Sequence, residues 1–309
     1  MNISVVIPIF NEIDSLAELK DQLIENLHQY DEWEVIFIDD GSSDGSSSWL
    51  KSLSMSDSHF KFIQFYRNYG KSAALSEGFK IASGKYVITM DADLQDDPSE
   101  IKNLVSHLDK GWDLVSGWKK NRLDPLNKRI PSKLFNFVTK LLTGVKIHDF
   151  NCGLKGYKQA VIKSIDVYGG RHRYIPALAG QRKFKITEIV VNHRARKHGK
   201  TKYGNSRLFH GFFDLITILF LNRFNQQPLH LFGAFGIGFF LIGFASELFV
   251  LFYKYSIGDP FSKHMALLIF GVMLIVIGIQ FFSIGLLGEL IARFSQGKED
   301  RVRKYINYK

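Results

Sequence analysis

Two aspartates that stand one residue apart are the side chains of this sequence best suited to chemistry. Asp91 and Asp93, separated by Ala92, follow an apolar run at residues 86–90, which the pattern predicts as a buried strand. Residues i and i+2 at a strand end point to the same side, so the two carboxylates converge. Magnesium is commonly held by one or two carboxylates together with substrate phosphates. The sequence therefore predicts a site for a hard divalent cation.

A second polar cluster follows another apolar run. Residues 35–38 lead into the sequence DDGSSD at 39–44, and an earlier segment, PIFNE, occupies residues 8–12. Acids at two strand ends can accept hydrogen bonds from a nucleobase imide and a ribose hydroxyl, and Phe10 can stack on the base. The alternative interpretation of the Gly-Ser stretch is an ordinary turn capped by an aspartate.

Short apolar strands alternate with amphipathic helices through the first part of the chain, which indicates a mostly parallel α/β sheet. Pro8 is expected to end the first strand. Ligands bind at the carboxyl ends of the strands in such sheets, so the polar clusters predict a single site. The predicted strands are residues 3–7, 35–38, 61–65, 86–90 and 113–116, and the predicted helices are 14–30, 46–53, 71–82 and 98–109.

Taken in order, the motifs resemble those of family 2 glycosyltransferases with the GT-A fold, a Rossmann-like α/β fold. They are PIFNE at 8–12, IDDGSSD at 38–44, RNYGK at 67–71 and MDADLQD at 90–96. The closest likeness is to the polyprenyl-phosphate sugar transferases, which act on dolichol or undecaprenyl phosphate. A further segment, RKHGKTKY at 196–203, resembles a motif of the same family.

The resemblance implies roles for particular residues. Asp91, Asp93 and, as a further candidate, Gln95 would hold Mg2+ or Mn2+, and Asp93 would be catalytic. Asp149 would lie by the acceptor, either as a general base or as an orienting group. The implied nucleotide-sugar site consists of Pro8, Phe10, Glu12, Asp40, Lys71, Asp91 and Ala92.

The charge of the chain, +10 with a pI near 9.4, is concentrated in two basic clusters at residues 119–133 and 194–207. The simplest interpretation of such clusters is a basic face that is exposed to solvent and binds no ligand. Both border amphipathic segments, at 134–145 and 208–224, that suit a bilayer interface, so lipid phosphate is favoured over nucleic acid. The residues expected to meet the acceptor phosphate are Arg122, Arg129, Arg194, Arg196 and Lys202.

Two long apolar stretches, 229–253 and 265–291, predict a pair of transmembrane helices, since each exceeds the bilayer core of about 30 Å. Two crossings and a basic tail place both ends and the catalytic domain in the cytoplasm. Glycines 271, 278 and 285 form a seam that favours a homo-oligomer. The expected organisation is a GT-A domain at 1–205, an interfacial segment at 206–228, a membrane hairpin at 229–291 and a basic tail at 292–309.

These features predict an integral membrane enzyme that transfers a hexose, with inversion, from a nucleotide-diphosphate sugar to polyprenyl phosphate. The donor would be of the UDP-glucose or GDP-mannose class. Two alternatives stay open: a family 2 enzyme that builds polysaccharide or glycolipid, and a catalytically silent membrane scaffold. The pair Asp91/Asp93 argues against the scaffold.

Overall fold

The computed structural model describes residues 2–120, 126–194 and 227–295. The chain divides into two compact units, Met1–Ile216 and Thr217–Lys309. In its described part, the first unit contains a seven-stranded sheet with the order β3-β2-β1-β4-β6-β5-β7. Its strands are β1 Ile3–Ile9, β2 Trp33–Asp39, β3 Phe60–Gln64, β4 Tyr86–Thr89, β5 Leu114–Trp118, β6 Lys155–Lys158 and β7 Ile186–Val190.

The mostly parallel α/β sheet predicted from the sequence is confirmed. β6 runs antiparallel to its neighbours β4 and β5, while the remaining paired strands are parallel. The helices are α1 Ile13–Leu27, α2 Ser46–Ser56, α3 Lys71–Ile81, α4 Ile101–Asp109, α5 Leu126–Thr143, α6 Gln159–Ser164 and α7 Ile175–Gln181.

Helices cover the sheet because their apolar residues recur at helical spacing. In α1 the leucines 16, 19, 23 and 27 are fully buried and join the core cluster that contains Val5, Val35 and Ile88. Val6, Ile36 and Val87 belong to a second core cluster, which includes residues of α3 and α7. Since alternate residues of β1, β2 and β4 enter different clusters, these strands are buried on both faces and their carboxyl ends are the part left for ligands.

Several predicted boundaries differ from the observed ones, and two of the differences have a clear structural reason. β1 does not stop before Pro8 but continues to Ile9, and Pro8 is in register with Ile38 of β2. The pairing of β1 with β4 ends at Val6. At Pro8, β1 is therefore paired only with β2, and the N–H that proline lacks is not needed for a bond to β4. The helix expected at 98–109 begins as a 3-10 turn, Pro98–Glu100, before α4.

In the second unit, two helices are long and apolar enough to cross a membrane, as predicted. They are α8 Pro228–Phe252 and α9 Met265–Ser295, joined by short turns. The apolar spans that include the turns, Pro228–Ile257 and Phe261–Ala292, have mean hydropathies of 2.1 and 2.6.

The glycine seam of α9 packs against α8 of the same chain. A Cβ on Gly278 would lie 2.6 Å from the carbonyl oxygen of Gly236, and a Cβ on Gly243 would lie 2.6 Å from that of Gly271. Small residues thus allow the two backbones to touch. The seam is therefore accounted for within the hairpin, and the homo-oligomer stays a prediction without that support.

Candidate active site

The loops that follow β1 and β2 are joined by hydrogen bonds at the carboxyl edge of the sheet. Asn11 donates its backbone N–H to Ser42 Oγ at 2.9 Å, and its Oδ1 accepts the backbone N–H of Ser43 at 2.8 Å. Asp44 accepts the N–H of Ile13 at 3.0 Å. The two motifs that the sequence suggested for the nucleotide therefore form one surface.

Asp40 lies under this surface and holds the next loop. Its carboxylate accepts the backbone N–H groups of Tyr69 at 2.6 Å and Gly70 at 2.9 Å. Burial raises the pKa of Asp40, and these two hydrogen bonds offset the effect only in part. Gly41 has a φ of +77°, and a Cβ there would lie 2.6 Å from the carbonyl carbon of Arg67. Asp40 thus positions residues 67–71, and a direct contact of its carboxylate with the nucleotide stays a prediction.

The carboxylate of Asp91 is surrounded by lysines. Lys71, the first residue of α3, forms an ion pair with it. Burial alone would raise the pKa of Asp91, but the charges of Lys71, Lys119 and Lys155 outweigh that effect and lower the pKa to about 2. Asp91 is therefore ionised at neutral pH and available as an oxygen ligand.

Gly153 lies directly against that carboxylate. A Cβ on Gly153 would be 2.7 Å from Asp91 Cγ and 2.7 Å from Asp91 Oδ2. Glycine is needed at this position because any side chain would occupy the space of the carboxylate. The segment that precedes β6 thus fixes the first aspartate of the pair.

Asp93 is the second carboxylate of the predicted cation site. Asp93 is almost fully buried and accepts the backbone N–H of Gln95 at 3.2 Å. Asp96 accepts the N–H of Asp91 at 3.0 Å and pairs with Lys119 at 2.7 Å. In the described ranges, no group of three or more His, Cys, Asp and Glu side chains could hold a metal by itself. Two carboxylates fit Mg2+ or Mn2+ when substrate phosphates and water supply the other ligands.

A cavity of about 430 Å3 opens on the other side of Lys119. Its chemistry is basic and aromatic, with Asp149 as a carboxylate at its wall. The lining residues are Trp118, Lys119, Lys120, Ser132, Lys133, Asn136, Phe137, Lys140, Ile147, His148 and Asp149. We call this volume the acceptor cavity, after the role that the resemblance implies for Asp149.

Local contacts fix the polar wall of the acceptor cavity. The rings of Trp118 and His148 stack with their centroids 4.3 Å apart, and Glu188 of β7 hydrogen-bonds to the backbone N–H of His148 at 2.6 Å and to its Nδ1. Asp149 is buried and accepts the backbone N–H of Asn151 at 3.0 Å. The carboxylate at the wall is therefore held in place by its own loop.

Behind Asp91 lies a second, narrow cleft. Lys155 is buried there and donates its ammonium to the carbonyl oxygen of Cys152. His172 contacts Ser72 Oγ through Nδ1 at 2.9 Å. Burial and the neighbouring cations Lys71, Arg173 and Lys155 keep the pKa of His172 well below its usual value, so the imidazole is neutral at pH 7.

The remaining predicted site residues differ in their burial and in whether the structure describes them. Pro8, Phe10 and Glu12 are half-buried at the edge of β1 and α1, and Ala92 is buried in the core. The side chain of Arg129 in α5 is not described, and Arg122, Arg196 and Lys202 lie outside the described residues.

Arg194 makes contacts that do not involve the acceptor cavity. Its guanidinium pairs with Asp97 at 2.7 Å and donates to Gln22 Oε1 at 2.8 Å. These bonds anchor the end of the strand region to α1, so they give Arg194 a structural role. Its predicted contact with lipid phosphate is untested.

Sequence reasoning missed several residues of the two cavities. His148 is adjacent to the predicted Asp149, and this adjacency could have identified it. Lys140 is in the amphipathic segment 134–145, and its helical spacing from Lys133 could have identified it. The cleft residues His172 and Arg173 come from a segment that no motif identified, and only the fold brings them beside Lys71.

The mostly parallel sheet, with Asp91 and Asp93 after β4, is the arrangement expected of the GT-A fold. Within that class the chain belongs to glycosyl transferase family 2, whose family model matches residues 4–166. The fold resembles that of glucosyl-3-phosphoglycerate synthase from Mycobacterium tuberculosis, solved with Mn2+ and UDP-glucose. The TM-score is 0.54, with 18% sequence identity over 72% of this chain and 78% of that chain.

Two curated relatives match almost the whole chain. The dodecaprenyl-phosphate galacturonate synthase of Rhizobium johnstonii is 36% identical over 99% of this chain and 92% of the relative. The undecaprenyl-phosphate 4-deoxy-4-formamido-L-arabinose transferase of Salmonella choleraesuis is 36% identical over 98% of this chain and 92% of the relative. The family predicted from the motifs is confirmed.

Proposed function

We propose that this chain transfers a hexose from a nucleotide-diphosphate donor to polyprenyl phosphate, with inversion, at the cytoplasmic face of a membrane. The two curated relatives are named for different sugars but for the same class of acceptor. They therefore support the acceptor more strongly than the sugar, and the donor is proposed only as a UDP-glucose or GDP-mannose type.

The observation that carries the proposal is the short path between the two halves of the site. Gly153 lies against the Asp91 carboxylate, and Asp149, four residues earlier, lines the acceptor cavity. A donor diphosphate at Asp91 and an acceptor in the cavity would therefore meet across a single short segment. Such proximity is what a group transfer between two bound substrates requires.

On the donor side, Asp91 and Asp93, with Gln95 as a further candidate, would hold Mg2+ or Mn2+. The bound ion would supply charge neutralisation to the leaving diphosphate. Lys71 adds a cation at the same place, since its ammonium pairs with Asp91. The surface formed by Pro8, Phe10, Glu12 and the loop above Asp40 would receive the nucleoside.

On the acceptor side, the lysines of the cavity would attract the lipid phosphate. Lys120, Lys133 and Lys140 line it, and α5 also exposes apolar side chains beside them: Phe137 is 64% exposed and Leu141 71%. A helix that presents lysines together with exposed apolar residues suits an isoprenoid phosphate in a bilayer interface. Arg122, Arg129, Arg196 and Lys202 are proposed to add to this positive charge.

Asp149 is proposed to orient the acceptor or the sugar rather than to remove a proton. A phosphate monoester has a second pKa of about 6, so at neutral pH it already carries a nucleophilic oxygen. A general base is needed for a hydroxyl acceptor but not for this one.

The test is to incubate the purified full-length chain with a panel of UDP- and GDP-sugars and polyprenyl phosphate, and to measure the lipid product by mass spectrometry. A lipid that gains one sugar residue supports the proposal. Transfer only to sugar hydroxyls, with growing oligosaccharide, would support the polysaccharide-forming alternative, and binding of donor without turnover would support the scaffold.

A matched pair of variants tests the acceptor cavity. Lys140→Met should raise KM for the lipid about tenfold and leave KM for the nucleotide sugar unchanged, because one charged contact with phosphate is lost. Lys51→Met removes the same charge from the exposed face of α2 and should change neither constant. Equal effects of Lys140→Met on both substrates would contradict the assignment.

Membrane orientation is tested by cysteine labelling in sealed vesicles, in a Cys152→Ser background. Asp259→Cys, in the turn between α8 and α9, should be labelled from the side opposite to a cysteine introduced at residue 305. Labelling of both from one side would overturn the proposed topology.

A further inference from the structure

The imidazole ring of His148 is held in one orientation at the wall of the acceptor cavity. Its plane lies at 14° to that of Trp118, with the ring centroids 4.3 Å apart. One carboxylate oxygen of Glu188 accepts the backbone N–H of His148 at 2.6 Å, and the other contacts Nδ1. The stack fixes the plane of the ring, and the contact at Nδ1 fixes its rotation within that plane.

The edge of the ring that carries Nε2 is the part available to a ligand. The side chain of His148 is 54% exposed despite the stack and the contact with Glu188, and it lines the acceptor cavity beside Asp149. A carboxylate accepts hydrogen bonds, so Nδ1 is the nitrogen that carries a hydrogen towards Glu188. Nε2 is then the nitrogen that can bond to a molecule in the cavity.

This ring differs from the lysines of the cavity in its rigidity. Lys133 is exposed and Lys140 is half-buried on α5, and long lysine side chains lose rotamer freedom when they bind a ligand. The ring of His148 is already ordered by Trp118 and Glu188. A group that is ordered before binding places the ligand at a lower entropic cost. The lysines therefore attract an anion, and His148 sets its position.

We propose that Nε2 of His148 donates a hydrogen bond to a phosphate oxygen of the acceptor lipid. The inference rests on the proposed function, since it adds a residue to the acceptor site of that same reaction. With Nδ1 donating to Glu188 and Nε2 to the phosphate, the bound ring carries both hydrogens as an imidazolium. The second proton is taken from solvent when the lipid enters as the dianion. Another phosphate oxygen stays free to attack the sugar, and Glu188 is a positioning residue.

A second histidine of the chain makes the same contacts at a different place. His59 stacks on Trp33 with the centroids 4.3 Å apart, and Asp57 accepts its backbone N–H at 2.9 Å and contacts its Nδ1 at 2.8 Å. Trp33 begins β2 at the amino edge of the sheet, whereas Trp118 ends β5 at the carboxyl edge. The stack by itself is therefore a structural contact, and the location at the cavity gives His148 its ligand.

Transfer assays with full-length enzyme test the contact. His148→Phe keeps a ring that can stack on Trp118 but removes both nitrogens. It should raise KM for polyprenyl phosphate about 10- to 100-fold and leave KM for the nucleotide sugar within about twofold. His148→Gln, whose amide can reach the position of Nε2, should recover part of the loss. His59→Phe is the matched control and should change neither constant.

The transfer assay separates failure of the inference from failure of the proposed function. An unchanged KM for the lipid in His148→Phe would overturn the inference while leaving the proposed function intact. Equal effects on both substrates would assign His148 to the fold and also refute it. Absence of transfer to polyprenyl phosphate by the wild type, from every donor, would instead count against the proposed function.

Proton uptake distinguishes a phosphate contact from a structural role. Besides Glu188, the titratable groups that share the cavity with the ring are Lys119, Lys120, Lys133, Lys140 and Asp149. Binding of farnesyl phosphate, without metal or donor, is measured by calorimetry at pH 8 in two buffers of different ionisation enthalpy. Histidine ordinarily titrates at about pH 6.5, so formation of the imidazolium at pH 8 takes a proton from solvent.

Wild type and His59→Phe should take up protons when they bind farnesyl phosphate, and His148→Gln should take up fewer, because an amide does not titrate in this range. The same comparison serves if His148→Phe does not fold. Equal uptake by wild type and His148→Gln, or no binding of farnesyl phosphate by the wild type, would overturn the inference.

Discussion

Replacing Gly153 with alanine tests whether the segment before β6 sets the position of the Asp91 carboxylate. The added Cβ would lie 2.7 Å from Asp91 Cγ, where ordinary van der Waals contact begins at 3.4 Å. The carboxylate must therefore move by about 0.7 Å, or the backbone of residue 153 must move by the same amount. Either movement changes the ligand geometry for the cation and weakens the ion pair with Lys71.

The expected loss depends on the size of that movement. A displacement of about 1 Å in a reacting group costs on the order of 100-fold in rate, so Gly153→Ala should lower kcat/KM by about 30- to 100-fold. Stability should change little, because the displaced atoms are the end of one side chain. The concentration of Mg2+ or Mn2+ needed for half-maximal activity should rise in the same variant.

The assay is transfer of labelled sugar to polyprenyl phosphate at a series of metal concentrations, with thermal unfolding measured on the same preparations. Gly238→Ala is the matched control, because a Cβ on that glycine of α8 would meet nothing within 4 Å. Activity of Gly153→Ala within threefold of wild type, at an unchanged metal requirement, would show that the contact does not position Asp91.

Three further predictions concern single residues. Asp93→Asn should abolish turnover without changing the unfolding temperature, because a diphosphate-bridging carboxylate is lost; full wild-type activity in excess chelator would contradict the metal role. Asp149→Asn should keep measurable activity that rises with pH through the titration of the lipid phosphate near pH 6, and should lose less than Asp93→Asn; complete loss with both substrates still bound would indicate an obligatory base. Burial raises the pKa of the Cys152 thiol to about 12, so the thiol of the folded protein is protonated at pH 9 and should resist alkylation. In denaturant the pKa returns to near 9 and the thiol should react. Rapid labelling of the folded protein at pH 9 would refute the burial of Cys152.

Much of the architecture could be predicted from local patterns. Apolar runs followed by polar clusters located β1, β2 and β4, because a strand buried on both faces is made mostly of apolar residues. The leucine spacing of α1 and the long apolar stretches of α8 and α9 were equally direct. The pair Asp91/Asp93 could be proposed as a site because both residues directly follow the apolar run of β4.

Local patterns failed where a chain segment returns from a distance. Gly153 and Lys155 lie near Asp91 because β6 runs antiparallel between β4 and β5. The alternation of residues in a strand is the same for both strand directions, so the sequence pattern could not predict this pairing. Arg194 belongs to a basic cluster of the sequence, and its contacts with Asp97 and Gln22 could not be predicted from the charge pattern.

The sequence by itself determined the strands β1 to β5, the polar residues that follow them, including Asp91 and Asp93, and the two apolar helices, because each depends on burial and spacing within a few residues. The tertiary structure alone decided that Asp149 lines a basic cavity, that Gly153 fixes Asp91 and that Arg173 enters the cleft. It also decided that the glycines of α9 pack on α8. These contacts join residues far apart in the chain, and their formation depends on the path of the backbone between them.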